Sequence, residues 1–178
     1  EIVGPEPERR RARKYINLVR AQRVGPVHVS QEHDDGDLTM IPVPSNCVGF
    51  VTGSQGNFLR TCEEEWSTLM FFCDYQGPGG NEDSENLAIF GSRAGRTGAE
   101  LKVMAAIEAK LPSYFTKELS QEFFSQEDWG RDTIPLEDEE LSFALGKDGS
   151  TRKKLAKASG CILEYVGHVA FLAGSLPA

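Results

Sequence analysis

The sequence predicts an α+β fold assembled from a repeated module of order β-α-α-β-β-α. Three observations carry that expectation. A G-x-x-G turn occurs twice, as Gly53-Ser54-Gln55-Gly56 and as Gly146-Lys147-Asp148-Gly149. Each turn separates a short apolar stretch from a longer segment with apolar residues at helical spacing. Each longer segment then leads into an apolar strand with a further strand beyond it. An order that recurs along one chain is the signature of a repeated structural unit.

The elements follow in order. Residues 5–23 read as a helix: Pro5 and Pro7 suit its start, and Ala12, Tyr15, Ile16 and Val19 form an apolar stripe. Gly25 and Pro26 stop it, and residues 27–37 read as a polar linker. Residues 38–43 form a short β-type run, and 46–52 a short helix. After the first G-x-x-G turn, residues 57–66 form a helix with Phe58, Leu59, Cys62 and Trp66 on its apolar side. Residues 68–73 and 87–90 read as strands, joined by a polar, glycine-rich loop over 75–85. Residues 97–111 form a long amphipathic helix with Thr97 as its cap, Leu101, Met104, Ala105 and Ile107 inward, and Pro112 after it. Residues 112–131 are an acidic connector with a short helix expected around 115–124.

The pattern then recurs. Residues 132–136 read as a weak strand, 138–145 as a short helix and 150–158 as a basic helix capped by Gly149 or Ser150. Strands follow at 161–166 and 168–173. No second long helix comes after them, so this copy is either truncated or has a sheet face covered by another segment. The opening helix reads as the last helix of a copy begun upstream. With no initial Met, the chain reads as an excerpt of something longer.

Composition narrows the function. The 178 residues suit one or two domains, or small modules with thin cores. No apolar run approaches the ~18 residues needed to cross a bilayer, and the N-terminus lacks the apolar stretch of a signal peptide, so no membrane partner is expected. Cys47, Cys62, Cys73 and Cys161 form no C-x-x-C pair, and they read as thiols of a reducing intracellular compartment, cytoplasm or nucleus. A net charge of −8 argues against indiscriminate coating of nucleic acid. Basic residues nevertheless crowd 9–23 and 147–157, while acid gathers over 118–140.

The two copies, VPSNCVGFVTGSQGNFLRTCEEEWSTLMFF and LSFALGKDGSTRKKLAKASGCILEYV, resemble the eukaryotic-type (type I) K-homology (KH) domain. The likeness rests on the apolar helix over 47–53, on Gly53 and Gly56, and on Gly146 and Gly149 with Leu155, Ala158 and the strand at Ile162. It covers most of the chain outside the two connectors. It departs from the family where the middle loop has no basic residue and where the last copy has no final helix. The resemblance implies modules of a three-stranded antiparallel sheet packed against three helices. It divides the chain into 1–25, the final helix of a preceding module or a packing helix; 38–111, a complete module; 112–131, the connector; and 132–178, a module lacking its last helix.

The resemblance also implies chemistry. Such a loop clamps the backbone of about four nucleotides of single strand. Glycine at both loop ends lets the chain approach phosphates, and the next helix points its free N–H groups at them. The implied RNA-binding residues are Gly146, Lys147, Asp148, Gly149, Arg152 and Lys153 in the last copy, and Gly53, Ser54, Gln55, Gly56 and Asn57 in the middle one. Val48, Val51, Phe58, Leu69 and Phe71 are implied to line the middle groove. Alternation sends Leu69 and Phe71 to one face and Met70 and Phe72 to the other, leaving open which set faces RNA.

Plainer readings stand beside these. GSQG also fits a simple helix–helix turn. The basic cluster from Arg9 to Lys14 and the run Glu63, Glu64, Glu65 read as solvated helix faces, and Trp66, Phe71 and Phe72 read as core. Residues 91–97 faintly resemble a P-loop, but with the wrong spacing and Arg96 where lysine belongs. No nucleophile–base pair, paired carboxylates or metal-ligand spacing is legible, so a non-catalytic protein without cofactor is expected. The expected partner is single-stranded RNA, with single-stranded DNA as the other nucleic acid this chemistry accepts. The last copy is the expected contact and the middle copy the expected packing unit. The alternative is a KH-derived protein–protein scaffold inside a ribonucleoprotein, with degenerate grooves.

Overall fold

Two sheets and six helices make a mixed α+β protein in the computed structural model, which describes residues 1–76, 83–117 and 129–175. The first run of elements is α1 (Glu6–Ala21), β1 (His28–Ser30), β2 (Leu38–Pro44), α2 (Val48–Thr52), α3 (Asn57–Trp66), β3 (Leu69–Gln76), β4 (Ser84–Phe90) and α4 (Arg93–Lys110). The second is β5 (Trp129–Pro135), α5 (Asp138–Leu145), α6 (Ser150–Ser159), β6 (Ile162–Val166) and β7 (Val169–Ser175). The first sheet has the order β1-β3-β4-β2, and the second β5-β7-β6. In both, the third strand of the β-α-α-β-β run lies antiparallel between the other two. Pro42 and Pro44 are tolerated in β2 because it is an edge strand, where a missing N–H breaks no ladder.

The first sheet is covered on both sides. Ile41, Val43, Met70, Leu87 and Ile89 pack with Val51 of α2, Cys62 of α3 and Val103, Ala106 and Ile107 of α4. The opposite face, with Leu38, Phe71, Ala88 and Phe90, receives Leu18 and Tyr15 of α1. Burying each such aliphatic or aromatic side chain is worth about 1.5–3 kcal/mol. Leu69 and Phe71 thus face α1, and Met70 and Phe72 face the helical layer.

Helix α4 belongs to both sheets. While Val103 and Ile107 enter the first core, Leu101 and Met104 pack on Trp129, Ile162 and Ala173 of the second sheet. The other face of that sheet, with Leu163, Tyr165 and Ala170, packs with Leu141 and Ala144 of α5 and Ala156 of α6. Helix α4 therefore lies on the second sheet as α1 lies on the first, on the face away from α5 and α6, and not where a final helix of the last copy is expected.

Three expectations need correction. The stretch over 27–37 is not only a linker: Val27 and Val29 are buried, and β1 pairs parallel to β3. Two valines are too short a signal to read as a strand. Thr97 does not cap α4; Ser92 does, accepting from the Gly95 N–H at 3.1 Å, and Thr97 is buried within the helix. Gly95 and Gly98 disguised the first turns of this helix. They are small because Trp66 lies against them: a Cβ on Gly95 would strike the Trp66 carbonyl, and one on Gly98 its ring. Of the short helix expected over 115–124, residues 118–128 lie outside the described residues, while Glu108 ties down 113–116 by accepting from Ser113, Phe115 and Thr116. In the loop expected over 75–85, residues 77–82 also lie outside the described residues, and β3 and β4 extend into the rest. Among the described residues, no helix is long and apolar enough to cross a membrane.

Candidate nucleic-acid interface

The two G-x-x-G turns have one backbone shape. Gly53 and Gly146 sit at φ/ψ of 72/172° and 68/171°. Gln55 and Asp148 are left-handed at 55/27° and 53/30°, and Gly56 and Gly149 at 78/13° and 70/20°. The first glycine is required by space as well as by φ. A Cβ on Gly53 would lie 2.8 Å from the Phe58 N, and one on Gly146 2.9 Å from the Thr151 N. Gly56 and Gly149 occupy the N-cap positions of α3 and α6 and have no side chain to accept from the first-turn N–H groups. Those N–H groups, with the helix dipole, make each loop a place where an anion is stabilised. Ser54, Gln55, Asn57, Lys147, Asp148 and Lys153 are all exposed beside them.

Beyond the loops the two sites differ. Next to GSQG, a cavity of about 400 Å³ runs between α3 and the outer edge of β3. Gly56, Leu59, Arg60 and Glu63 supply one wall, at the i, i+3, i+4, i+7 spacing of a single helix face. Met70, Phe71 and Phe72 form its floor, and Gln22, Gly25, Pro26 and Val27 its far lip. Arg60 is exposed and brings a cation to the wall. The Glu63 carboxylate accepts from the backbone N–H of Met70 at 2.7 Å, occupying a donor on the strand edge. Burial pushes the Glu63 carboxyl above the usual carboxylate range. Of the five residues expected to line this groove, Phe71 does so; Val51 is sealed in the core, and Val48 and Phe58 pack against it. Leu69 faces α1. Leu59, Arg60 and Glu63 were missed, although the helical spacing from Gly56 marks them.

Next to GKDG the same edge is closed. Arg152 was expected at phosphate, but it is buried and bonded to the Leu163 carbonyl at 3.1 Å and to Glu164 at 3.0 Å. Glu164 also meets Lys102 of α4 at 3.1 Å, and Glu65 of α3 meets Lys102 at 3.6 Å and Arg152 at 3.8 Å. Leu163 holds the strand position that Met70 holds in the first sheet. One edge thus opens on a groove, and the other is tied to the neighbouring helices by four charges. Of the run Glu63, Glu64, Glu65, the last two are exposed as expected, although Glu65 also pairs with Lys102 and Arg152, while Glu63 is half-buried and bonded to the strand edge.

The basic cluster on α1 is likewise only partly solvated. Lys14 reaches Asp37 at 2.7 Å, Asp35 at 3.1 Å and the His33 carbonyl at 2.8 Å, and the Tyr15 hydroxyl donates to Asp37 at 2.8 Å. Burial pushes the Asp37 carboxyl up, but the hydrogen bonds from Lys14 and Tyr15 outweigh it and hold the group below its ordinary range. Arg9 and Arg13 remain exposed. Arg96 is a clamp, donating to the carbonyls of Gly36, Leu38 and Gly91. All four cysteines are unpaired, and burial pushes the Cys62 and Cys73 thiols up to about 11, which keeps them as unreactive thiols at neutral pH.

No family model matches the chain, and no curated protein does. Among solved structures, it is similar to the a/eIF2alpha–aDim2p–rRNA complex from Pyrococcus horikoshii OT3, at 16% identity over 77% of this chain and 75% of that one, with a TM-score of 0.34. It is also similar to Dim2p from Pyrococcus horikoshii OT3, at 13% identity over 77% and 80% of the two chains, with a TM-score of 0.32. A protein of unknown function from Aeropyrum pernix is similar at 12% identity over 78% and 74%, with a TM-score of 0.30.

Proposed function

We propose that this chain is a multi-KH binder of single-stranded RNA, that it is not an enzyme, and that the GSQG module takes the bases while both G-x-x-G loops brace phosphates. One observation carries the reading: the GSQG loop, with exposed backbone and an uncapped helix start, opens directly onto a groove with Arg60 on its wall. A phosphate at the loop meets N–H groups and the dipole of α3. A base lying along the groove meets Leu59 and Phe72 on its faces and Arg60 beside its sugar-phosphate chain. Gly53, Ser54, Gln55, Gly56, Asn57 and Arg60 form this site. Gly146, Lys147, Asp148, Gly149 and Lys153 form a second phosphate contact without a groove, which raises affinity by tethering. Single-stranded DNA fits the same contacts. Residues 38–111 and 132–178 are read as the two modules, with 1–25 as a helix of the preceding one.

The test is fluorescence anisotropy with a labelled pool of single-stranded RNA. Ser54→Asp combined with Gln55→Asp places two charges on the loop, and the left-handed third position accepts aspartate, as Asp148 shows. It is expected to weaken binding about tenfold or more, and Lys147→Asp only a few-fold. A wild-type chain that binds no RNA at low salt ends the reading.

A second reading, a KH-derived scaffold within a ribonucleoprotein, is favoured by two specific contacts. Glu63 occupies the Met70 edge donor, and Arg152 seals the β6 edge against α3 and α4. In that case RNA binding is absent and protein contact at the groove is insensitive to the Lys147 change.

A further inference from the structure

An exposed phenylalanine precedes each G-x-x-G turn at the same place. Phe50 stands three residues before Gly53, and Phe143 three before Gly146. Phe50 is 51% exposed and Phe143 85%. Phe50 is exposed although α4 packs into its module, so an α4-like helix does not cover this position in either copy. The packing of the short helices fixes the direction. Val51 is sealed in the first core and Ala144 packs in the second, which turns the residue before each of them outward. An outward site on a helix suits a polar residue, yet an aromatic one holds it twice.

The surroundings of the rings are small and polar. Gly49 is exposed, and a Cβ there would meet nothing within 4 Å. Ser142, in its place on α5, is exposed with its hydroxyl turned back to the Asp138 carbonyl at 3.1 Å. Each ring thus borders a bare step and not an apolar patch of the size a protein interface needs. A lone ring beside a bare step accepts one flat group. The loop says which group that is. Residues three apart share a helix face, so the ring and the start of the loop lie on one side, about 5.4 Å apart along the axis. Side chains on a helix lean toward its N-terminus, so the ring projects away from the loop. That is the place of a nucleotide adjoining one whose phosphate sits at the loop.

We propose that Phe50 stacks on the base of the nucleotide next to the one held at GSQG, and that Phe143 does the same at GKDG. The inference rests on the RNA-binding reading and adds to it a base contact outside the groove. It also gives the second module, whose strand edge is closed, a way to hold a base. Such stacking tolerates any sequence, because every base has a π-face. Exposed Glu139 stands four residues before Phe143, where exposed Asn46 stands before Phe50, so a phosphate is repelled at the second ring and Phe143 is the weaker of the two.

The experiment is fluorescence anisotropy with a labelled pool of single-stranded RNA and with an abasic ribose-phosphate strand of the same length. Phe50→Ala is expected to weaken binding of the pool about fivefold or more, and Phe143→Ala about threefold. Phe50→Trp is expected to retain affinity, with its added indole emission quenched by the pool and not by the abasic strand. Phe50→Leu, apolar but not aromatic, is expected to lose affinity as Phe50→Ala does. On the abasic strand all of these proteins are expected to bind alike, since the phosphate contacts remain. Both side chains are exposed, and circular dichroism is expected to be unchanged throughout. A wild type that binds neither strand ends the RNA reading and this inference with it. A wild type that binds RNA while either alanine variant binds the pool as well as it does, a leucine variant equal to the tryptophan one, or an alanine loss of the same size on the abasic strand overturns the stacking site alone.

Discussion

The GSQG and GKDG loops share a backbone and differ in their neighbours. Both start on a glycine that the next helix would crowd, and both end on a left-handed glycine at the helix N-cap. Past that point α3 presents Leu59 and Arg60 to an open groove, whereas α6 presents Arg152 to two carboxylates and a strand edge. The position of Leu59 is the position of Arg152. A loop motif thus reports a local turn faithfully, but whether the turn borders a binding groove depends on what packs against the adjoining strand.

The largest expected effect tests that contrast on the two helices. Arg152→Met leaves Glu164, 6% exposed, short of a partner, and is expected to lower the unfolding free energy by about 3 kcal/mol in urea denaturation. Arg60→Met on exposed α3 is expected to change stability by less than about 0.5 kcal/mol while weakening RNA binding several-fold. The reverse pattern would make GKDG the working site.

Next in size is the hold of α1 on the first sheet. Asp37→Asn is expected to cost about 2 kcal/mol at neutral pH, because it weakens the charge-assisted bonds from Lys14 and Tyr15. The folded pKa of Asp37 is depressed, so its contribution is present above the ordinary carboxylate range and is lost as pH falls through the folded value. The gap between wild type and variant is expected to close in acid, read from urea midpoints at neutral and acidic pH.

A smaller effect separates the groove from the fold. Glu63→Gln keeps an acceptor for the Met70 N–H and removes a negative charge from the groove wall. RNA affinity is expected to rise about threefold at neutral pH, by screened removal of one repulsive charge. The Glu63 pKa is raised in the fold, so its charged form costs stability that returns as pH falls through the raised value. The affinity advantage of the variant is expected to shrink over the same range, followed by anisotropy against pH. The smallest effect is Lys147→Ala, which removes one phosphate contact and is expected to flatten the log–log salt dependence of binding by about 0.7.

Much of this was readable from residues. The segments α3 and α6 follow from the glycine turns before them and the helix spacing of α3, and the alternation of Leu69, Met70, Phe71 and Phe72 separated the two sheet faces. The loop residues Gly53–Gly56 and Gly146–Gly149 were found where the turns stand. Arg152 was misjudged because a basic helix beside a loop looks the same in sequence whether its arginine points to solvent or folds over a strand edge. The wall residues Arg60 and Glu63 carried a helical spacing but no chemical signature of their own.

Local chemistry, then, dictates the element order, the two left-handed turns and the apolar faces, because each depends on φ, ψ and side chains within a few residues. The fate of each strand edge is set over longer distances. Val27 and Val29 bring β1 to β3 across the far lip of one groove, and Lys102 and Glu65 reach the other sheet to close its edge. Helix α4 is apolar on two sides, and only packing shows that its two sides serve two sheets. Burial is a property of the assembled layers, so contacts between segments distant in sequence determine which of two identical turns borders an open groove.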